Sequence, residues 1–202
     1  MQPSHDHQKS GDDWKGDCAV LPPLEPSSLD PDQLVLPWSD TGHPATWDEV
    51  EKVFGGSAHR RSRLLLARSR LEGIHAEGIP LLAVWINGSF VTDCDDPRDI
   101  DLLVLIDGLA LRSAWNSLGG SSRAAERIHT LRNERWEPGG TKQRHLTDFN
   151  YVIYYPRDPV TEDEVDLWHG NWSRLRLPSP KPGEQGRLVE DAKGFVEVRW
   201  SP

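Results

Sequence analysis

Residues able to do chemistry are concentrated in one stretch, Leu81 to Asp107, which reads LLAVWINGSFVTDCDDPRDIDLLVLID. An apolar run, Leu81 to Ile86, is closed by Asn87-Gly88-Ser89. A second, Ile100 with Leu102 to Ile106, is entered through Asp99-Ile100-Asp101. Both runs are short and bounded by turn-forming residues, which predicts two buried strands. Asp99 and Asp101 are two residues apart, and on a strand that spacing sends both carboxylates to one face. Two unpaired carboxylates at a buried strand repel each other and are costly to desolvate. The pattern calls for a positive group between them, and a divalent metal ion is the simplest.

The Gly-Ser pair suits an anion. Gly88 has no side chain, so its backbone can lie close to a phosphate. Ser89 adds a hydroxyl and a backbone amide where a helix would start and its dipole favours negative charge. Thr92, in the same loop, reads either as a further phosphate contact or as a cap of that short helix. A Gly-Ser pair alone is common in turns. Its meaning comes from its place after an apolar run and nine residues ahead of the acid pair.

Apolar residue, Gly88, Ser89, nine residues, then Asp99-Ile100-Asp101-Leu102 resembles the signature of the polymerase-beta-like nucleotidyltransferase superfamily. The wider text is similar to one subgroup, an uncharacterised family of small bacterial nucleotidyltransferase-like proteins. The blocks that carry this are Gly42 to Arg61, Trp85 to Thr92, Pro97 to Val104 and Lys193 to Val198. The resemblance implies that the Gly88-Ser89 turn holds a nucleotide's phosphates, and that Asp99 and Asp101 hold magnesium. It also implies a third carboxylate from a later adjacent strand. Asp148 is the candidate, its other reading being a strand-entry residue that satisfies a turn.

The implied reaction is in-line attack of a hydroxyl on the alpha-phosphorus of a triphosphate, with pyrophosphate leaving. Two magnesium ions about 3.5–4 Å apart can stabilise both the attacking and the leaving oxygen. Phosphate and water complete their octahedral shells, so two or three carboxylates suffice. The expected activity is transfer of a nucleoside monophosphate, AMP from ATP foremost, to a hydroxyl on a small molecule, a tRNA end or a protein. The alternative is an idle member of the fold, acting as a nucleotide-binding module or as a partner in a toxin–antitoxin pair. Lys142, Arg144 and His145 are read either as neutralising triphosphate charge or as a solvated loop. Arg98 either pairs with Asp95 or Asp96 or binds substrate. No histidine is near Cys94 in sequence, which argues against a thiol nucleophile.

Composition sets the frame. The chain has 202 residues, a net charge of -9 and 36% apolar residues. Length predicts one domain with a core of its own. The acidic balance disfavours general binding to a nucleic-acid backbone. Cys18 and Cys94 are far apart and in no metal spacing, which fits a reduced cytosol. No stretch is long and apolar enough to span a membrane. Residues 1–33 are polar and without periodicity, and are expected as a disordered tail before a domain of residues 34–202. His5 and His7 within it are expected to be solvated.

The expected fold class is α/β, a small mixed sheet with packed helices. Leu34 to Trp38 reads as a short edge segment. Thr46 with Glu49 forms a capping box for a helix to about Phe54. Ser57 caps a second helix to about Glu77, with Leu64, Ala67, Leu71 and Ile74 on one stripe. Its arginines, Arg60, Arg61, Arg63, Arg68 and Arg70, are read as a solvated face in preference to a phosphate or RNA contact. Helices are expected over Leu109 to Leu118 and Arg123 to Arg135. A third strand is expected over Thr147 to Tyr155. Val160 to His169 reads as a helix with Val165 and Trp168 inward. Arg187 to Glu190 and Phe195 to Trp200 are expected to form a hairpin.

Overall fold

The structure is a computed structural model and describes residues 20–117, 119–120, 123, 125–128, 147–176, 188–189 and 193–201. In chain order the strands begin with β1 (Glu25–Pro26), β2 (Leu34–Val35) and β3 (His43–Ala45). Helices α1 (Trp47–Phe54) and α2 (Ala58–Ala76) follow, then β4 (Leu81–Asn87), a 3-10 turn over Gly88–Val91, and β5 (Ile100–Asp107). The rest comprises α3 (Gly108–Ala114), β6 (Thr147–Tyr154), α4 (Pro159–Trp172), β7 (Leu175–Arg176), β8 (Leu188–Val189) and β9 (Val196–Arg199).

The main sheet has five strands in the order β3-β9-β4-β5-β6. It is mixed: β4 runs antiparallel to both β5 and β9, while β5 pairs parallel with β6 and β3 with β9. The apolar runs predicted as strands are therefore the two central neighbours, β4 and β5. This is the α/β arrangement expected from the sequence.

Both faces of the sheet are covered, which is why the central runs are apolar throughout rather than alternating. On β5, Ile100, Leu102, Val104 and Ile106 pack with Val50 and Phe54 of α1 and Leu64, Leu71 and Ile74 of α2. Leu103 and Leu105 face the other way, toward Trp85, Trp172 and Phe195. Val165 and Trp168 of α4 pack on that second cluster, as their spacing predicts. The caps follow the sequence too. Thr46 Oγ1 accepts from Glu49 N at 3.2 Å, and Glu49 Oε2 accepts from Thr46 N at 2.7 Å. Ser57 Oγ accepts from Arg60 N at 3.1 Å.

Three expectations are corrected. Residues 20–33 are not a loose tail. Leu21 joins the core, Ser27 is buried, and Glu25–Pro26 pairs with Leu34–Val35. Leu21, Leu24 and Leu29, the residues that pack there, are spaced at neither helix nor strand period in a polar, proline-rich run, so composition alone hid them. The C-terminal hairpin does not form. Leu188–Val189 pairs with Leu175–Arg176, while β9 enters the main sheet between β3 and β4. Val196 and Val198 are fully buried there, a larger apolar gain than a surface hairpin provides. Finally, Arg60 and Arg70 are interior, at 7% and 6% exposure, not part of a solvated face. Residues 1–19, His5 and His7 among them, lie outside the described residues, as do Lys142, Arg144 and His145. Among the described residues no helix is long and apolar enough to cross a membrane.

Candidate functional site

Strand periodicity decides where the acids point. Asp101 has the parity of Leu103 and Leu105, so it stands on the aromatic face, at the end where β5 begins. The register places Asn87 of β4 opposite Asp101 on one side and Asp148 of β6 opposite it on the other. Hydrogen-bonded strands lie about 4.8 Å apart, so Asp148 is the immediate lateral neighbour of Asp101. Asp99 is one residue outside β5 and partly exposed, and Asp148 is exposed. Burial raises the Asp101 carboxyl to about 6, and the charges of Asp99 and Asp148 push it the same way. The three acids thus share one electrostatic neighbourhood at one sheet end.

The Gly-Ser turn closes over the same spot. Gly88 has φ of 77°, a left-handed conformation that side chains disfavour. A Cβ there would sit 1.9 Å from Asp101 Oδ2 and 2.9 Å from its Cγ. Glycine is therefore required twice, by the backbone angle and by the carboxylate lying against it. Ser89, next in the turn, is exposed. Thr92 is different. It is 3% exposed, its hydroxyl donates to Ser89 O at 2.8 Å, and it accepts from Cys94 N at 3.2 Å. Of its two readings the structure favours the cap, and the hydroxyl is not presented to a phosphate.

Lys193 was not singled out by sequence reasoning, although it opens one of the resembling blocks. It lies just before β9 and is 7% exposed. Its Nζ donates to Gly88 O at 3.2 Å. Burial lowers the ammonium to about 8, and the Asp101 charge opposes that fall. The signal that could have found it is a lone lysine at the head of a short strand-forming block, beside Gly194 and Phe195.

Two arginines of α2 brace the loops on either side of the acids. Arg60 donates to the carbonyls of Phe54, Phe90, Cys94 and Thr92, and its guanidinium lies 4.8 Å from the Phe90 ring centroid. It thereby fixes the segment that leads from Ser89 to Asp99. Its neighbour His59 contacts Pro97 O at 3.0 Å and Asp96 Oδ1 at 2.8 Å. Arg70 donates to Thr147 Oγ1 at 2.8 Å and stacks 4.6 Å from the Phe149 ring, flanking Asp148 on both sides in sequence. Behind the site, Asn87 Nδ2 donates to Trp172 O at 2.8 Å, and Trp85 stacks on Phe195 with centroids 4.4 Å apart.

The donor set suits a hard cation. Three carboxylates at one sheet end, one of them raised to about 6 by burial and then by its neighbours' charge, are what a divalent ion with oxygen ligands would relieve. Among the described residues no three His, Cys, Asp or Glu side chains are already gathered into a metal cage. Asp101 and Asp148 share a face and a register, with Asp99 just outside β5, but the three side chains are not converged on one point.

The model of a family of unknown function, DUF6932, matches residues 14–199. The chain belongs to this family. Membership of DUF6932 assigns no activity, so function rests on the site itself. No curated protein and no solved structure matches the chain. The DUF6932 match includes all of the elements that build the site, from α2 to Lys193 and β9.

Proposed function

We propose that this protein is a magnesium-dependent nucleotidyltransferase of the polymerase-beta-like type. It would move a nucleoside monophosphate, AMP from ATP foremost, onto a hydroxyl of an acceptor. The observation that carries the reading is the meeting of Gly88, Asp101 and Asp148. A glycine in the left-handed region touches the first acid, and the next strand sets the second acid beside it. Nothing in sheet packing requires three acids and a glycine at one sheet end, and the acids' mutual repulsion lowers stability.

In this reading the acceptor oxygen forms a bond to the alpha-phosphorus, the bond from alpha-phosphorus to the bridging oxygen breaks, and pyrophosphate leaves. Asp148, the most exposed of the three acids, would take the hydroxyl proton. Asp99, Asp101 and Asp148 are the residues that would hold magnesium, which supplies positive charge to the transferred and leaving oxygens. Gly88 and Ser89 present backbone to the phosphates, and Arg60 keeps their loop in register with the acids. A nucleoside triphosphate substrate and a cytosolic setting go with this reading.

A second reading has its own observation. Lys193 already provides a positive charge facing Asp101, which an idle fold member would use in place of a metal ion. Such a protein would act as a nucleotide-binding module or a toxin–antitoxin partner. Incubation with each labelled triphosphate and magnesium separates the two. The transferase reading expects pyrophosphate release that disappears in the Asp99→Ala, Asp101→Ala double variant. Release that persists in that variant would place the chemistry elsewhere. Magnesium-dependent nucleotide binding without release would favour the second reading.

A further inference from the structure

Lys193 is pinned at both ends. Its backbone N–H donates to Ser173 O at 3.2 Å, directly after α4, and the next residue's N–H donates to Leu36 O at 2.8 Å. Its Nζ reaches across to Gly88 O. Gly194 makes the close passage possible, since a Cβ there would lie 2.3 Å from Pro37 O. The lysine is thus carried into the site by the C-terminal segment and cannot swing out to solvent without breaking that anchorage.

A neutral donor would satisfy the Gly88 carbonyl at lower cost, because removing an ammonium from water is expensive unless an anion accompanies it. The ammonium has three donors, and one is used on Gly88 O. Among the described residues no second hydrogen-bond partner stands against it. Asp101 is the acid that faces it, and Asp101 is also the acid most involved with the glycine turn.

We propose that Lys193 is an anion-binding residue of this site, its ammonium donating to an oxygen of a polyphosphate seated on the Gly88-Ser89 turn. The ligand class is a polyphosphate or its nucleoside ester, and the inference rests on the reading that the turn holds phosphates. Lys193 then does two things at once. It holds the turn's carbonyl away from the incoming anion, and it offers its remaining donors to that anion. Its charge also keeps the acid cluster tolerable before any cation arrives.

The test uses tripolyphosphate, which carries no nucleoside and reports no transfer. Calorimetric titration of the full chain in magnesium is expected to show binding that weakens at least about tenfold in Lys193→Met. Lys193→Arg, which keeps the charge, is expected to retain most of it. A merely structural lysine would lower the melting temperature of Lys193→Met and leave the dissociation constant unchanged, and that result would overturn the proposal. So would a wild-type protein that does not bind tripolyphosphate. If Lys193→Met does not fold, Lys193→Gln, which keeps a neutral donor for the Gly88 carbonyl, decides instead. Weaker tripolyphosphate binding than wild type supports the assignment, and an unchanged dissociation constant refutes it. Failure of pyrophosphate release from triphosphates would sink the transferase reading without touching this result.

Discussion

Asp101→Asn should stabilise the protein at neutral pH. In the folded chain the Asp101 carboxyl is raised from 3.8 to about 6, first by burial and then by Asp99 and Asp148. A tenfold change in proton affinity is worth about 1.4 kcal/mol, so the ionised carboxylate costs the folded state roughly 3 kcal/mol. The sign follows from linkage. The folded form binds this proton more tightly than the unfolded form, so stability is lost as pH rises through about 4 to about 6. Above that window the loss is complete. The amide carries no such penalty, but it also leaves the Lys193 ammonium without the charge that offsets its burial. The expected net gain at pH 7 is therefore smaller, about 1–2 kcal/mol. Urea unfolding of both proteins from pH 4 to 8 measures it, with equal m-values required for the comparison. The difference should be near zero at pH 4, grow to about pH 6 and then level. A variant less stable than wild type at pH 7, with a difference flat in pH, would show that Asp101 is already well paired and that the site needs no cation.

Gly88→Ala should lose about 2–3 kcal/mol, from left-handed strain of roughly 1–2 kcal/mol and the displacement of Asp101 by the new Cβ, seen as a drop in melting temperature. A loss below about 0.5 kcal/mol would mean that the turn is not held against the acid. Arg60→Met strips the buried carbonyls of Phe54, Phe90 and Thr92 and the half-buried carbonyl of Cys94 of their donor and should cost about 3–5 kcal/mol in urea unfolding. Thr92→Val should cost about 1–2 kcal/mol while leaving triphosphate affinity within about twofold, because its hydroxyl caps the turn rather than meeting the ligand. A large affinity loss with unchanged stability would reverse that assignment.

The parts of this fold that were legible in sequence are those where local rules and tertiary packing agree. β4 and β5 are continuous apolar runs because both faces are covered, and the helix caps act within one turn of their own residues. Asp148 was legible as the start of a strand, and the register then set it beside Asp101. What stayed hidden depends on partners distant in sequence. β9 offers only Val196 and Val198 as a pattern, and its neighbours are about 150 and 110 residues earlier in the chain. Arg60 and Arg70 look like surface charge on a helical wheel, and only the loop carbonyls and Thr147 show why they are buried. Lys193 belongs to the same class. The carbonyl it holds, Gly88 O, lies 105 residues earlier in the chain.

The most direct measurement is a crystal structure of the protein with magnesium and a triphosphate that cannot be cleaved between its alpha and beta phosphates. The account predicts metal density bounded by the carboxylates of Asp99, Asp101 and Asp148, with the phosphates lying on the backbone of Gly88 and Ser89 and within reach of Lys193. A nucleotide bound away from that turn, or acids that keep their present positions with only water between them at saturating magnesium, would contradict it.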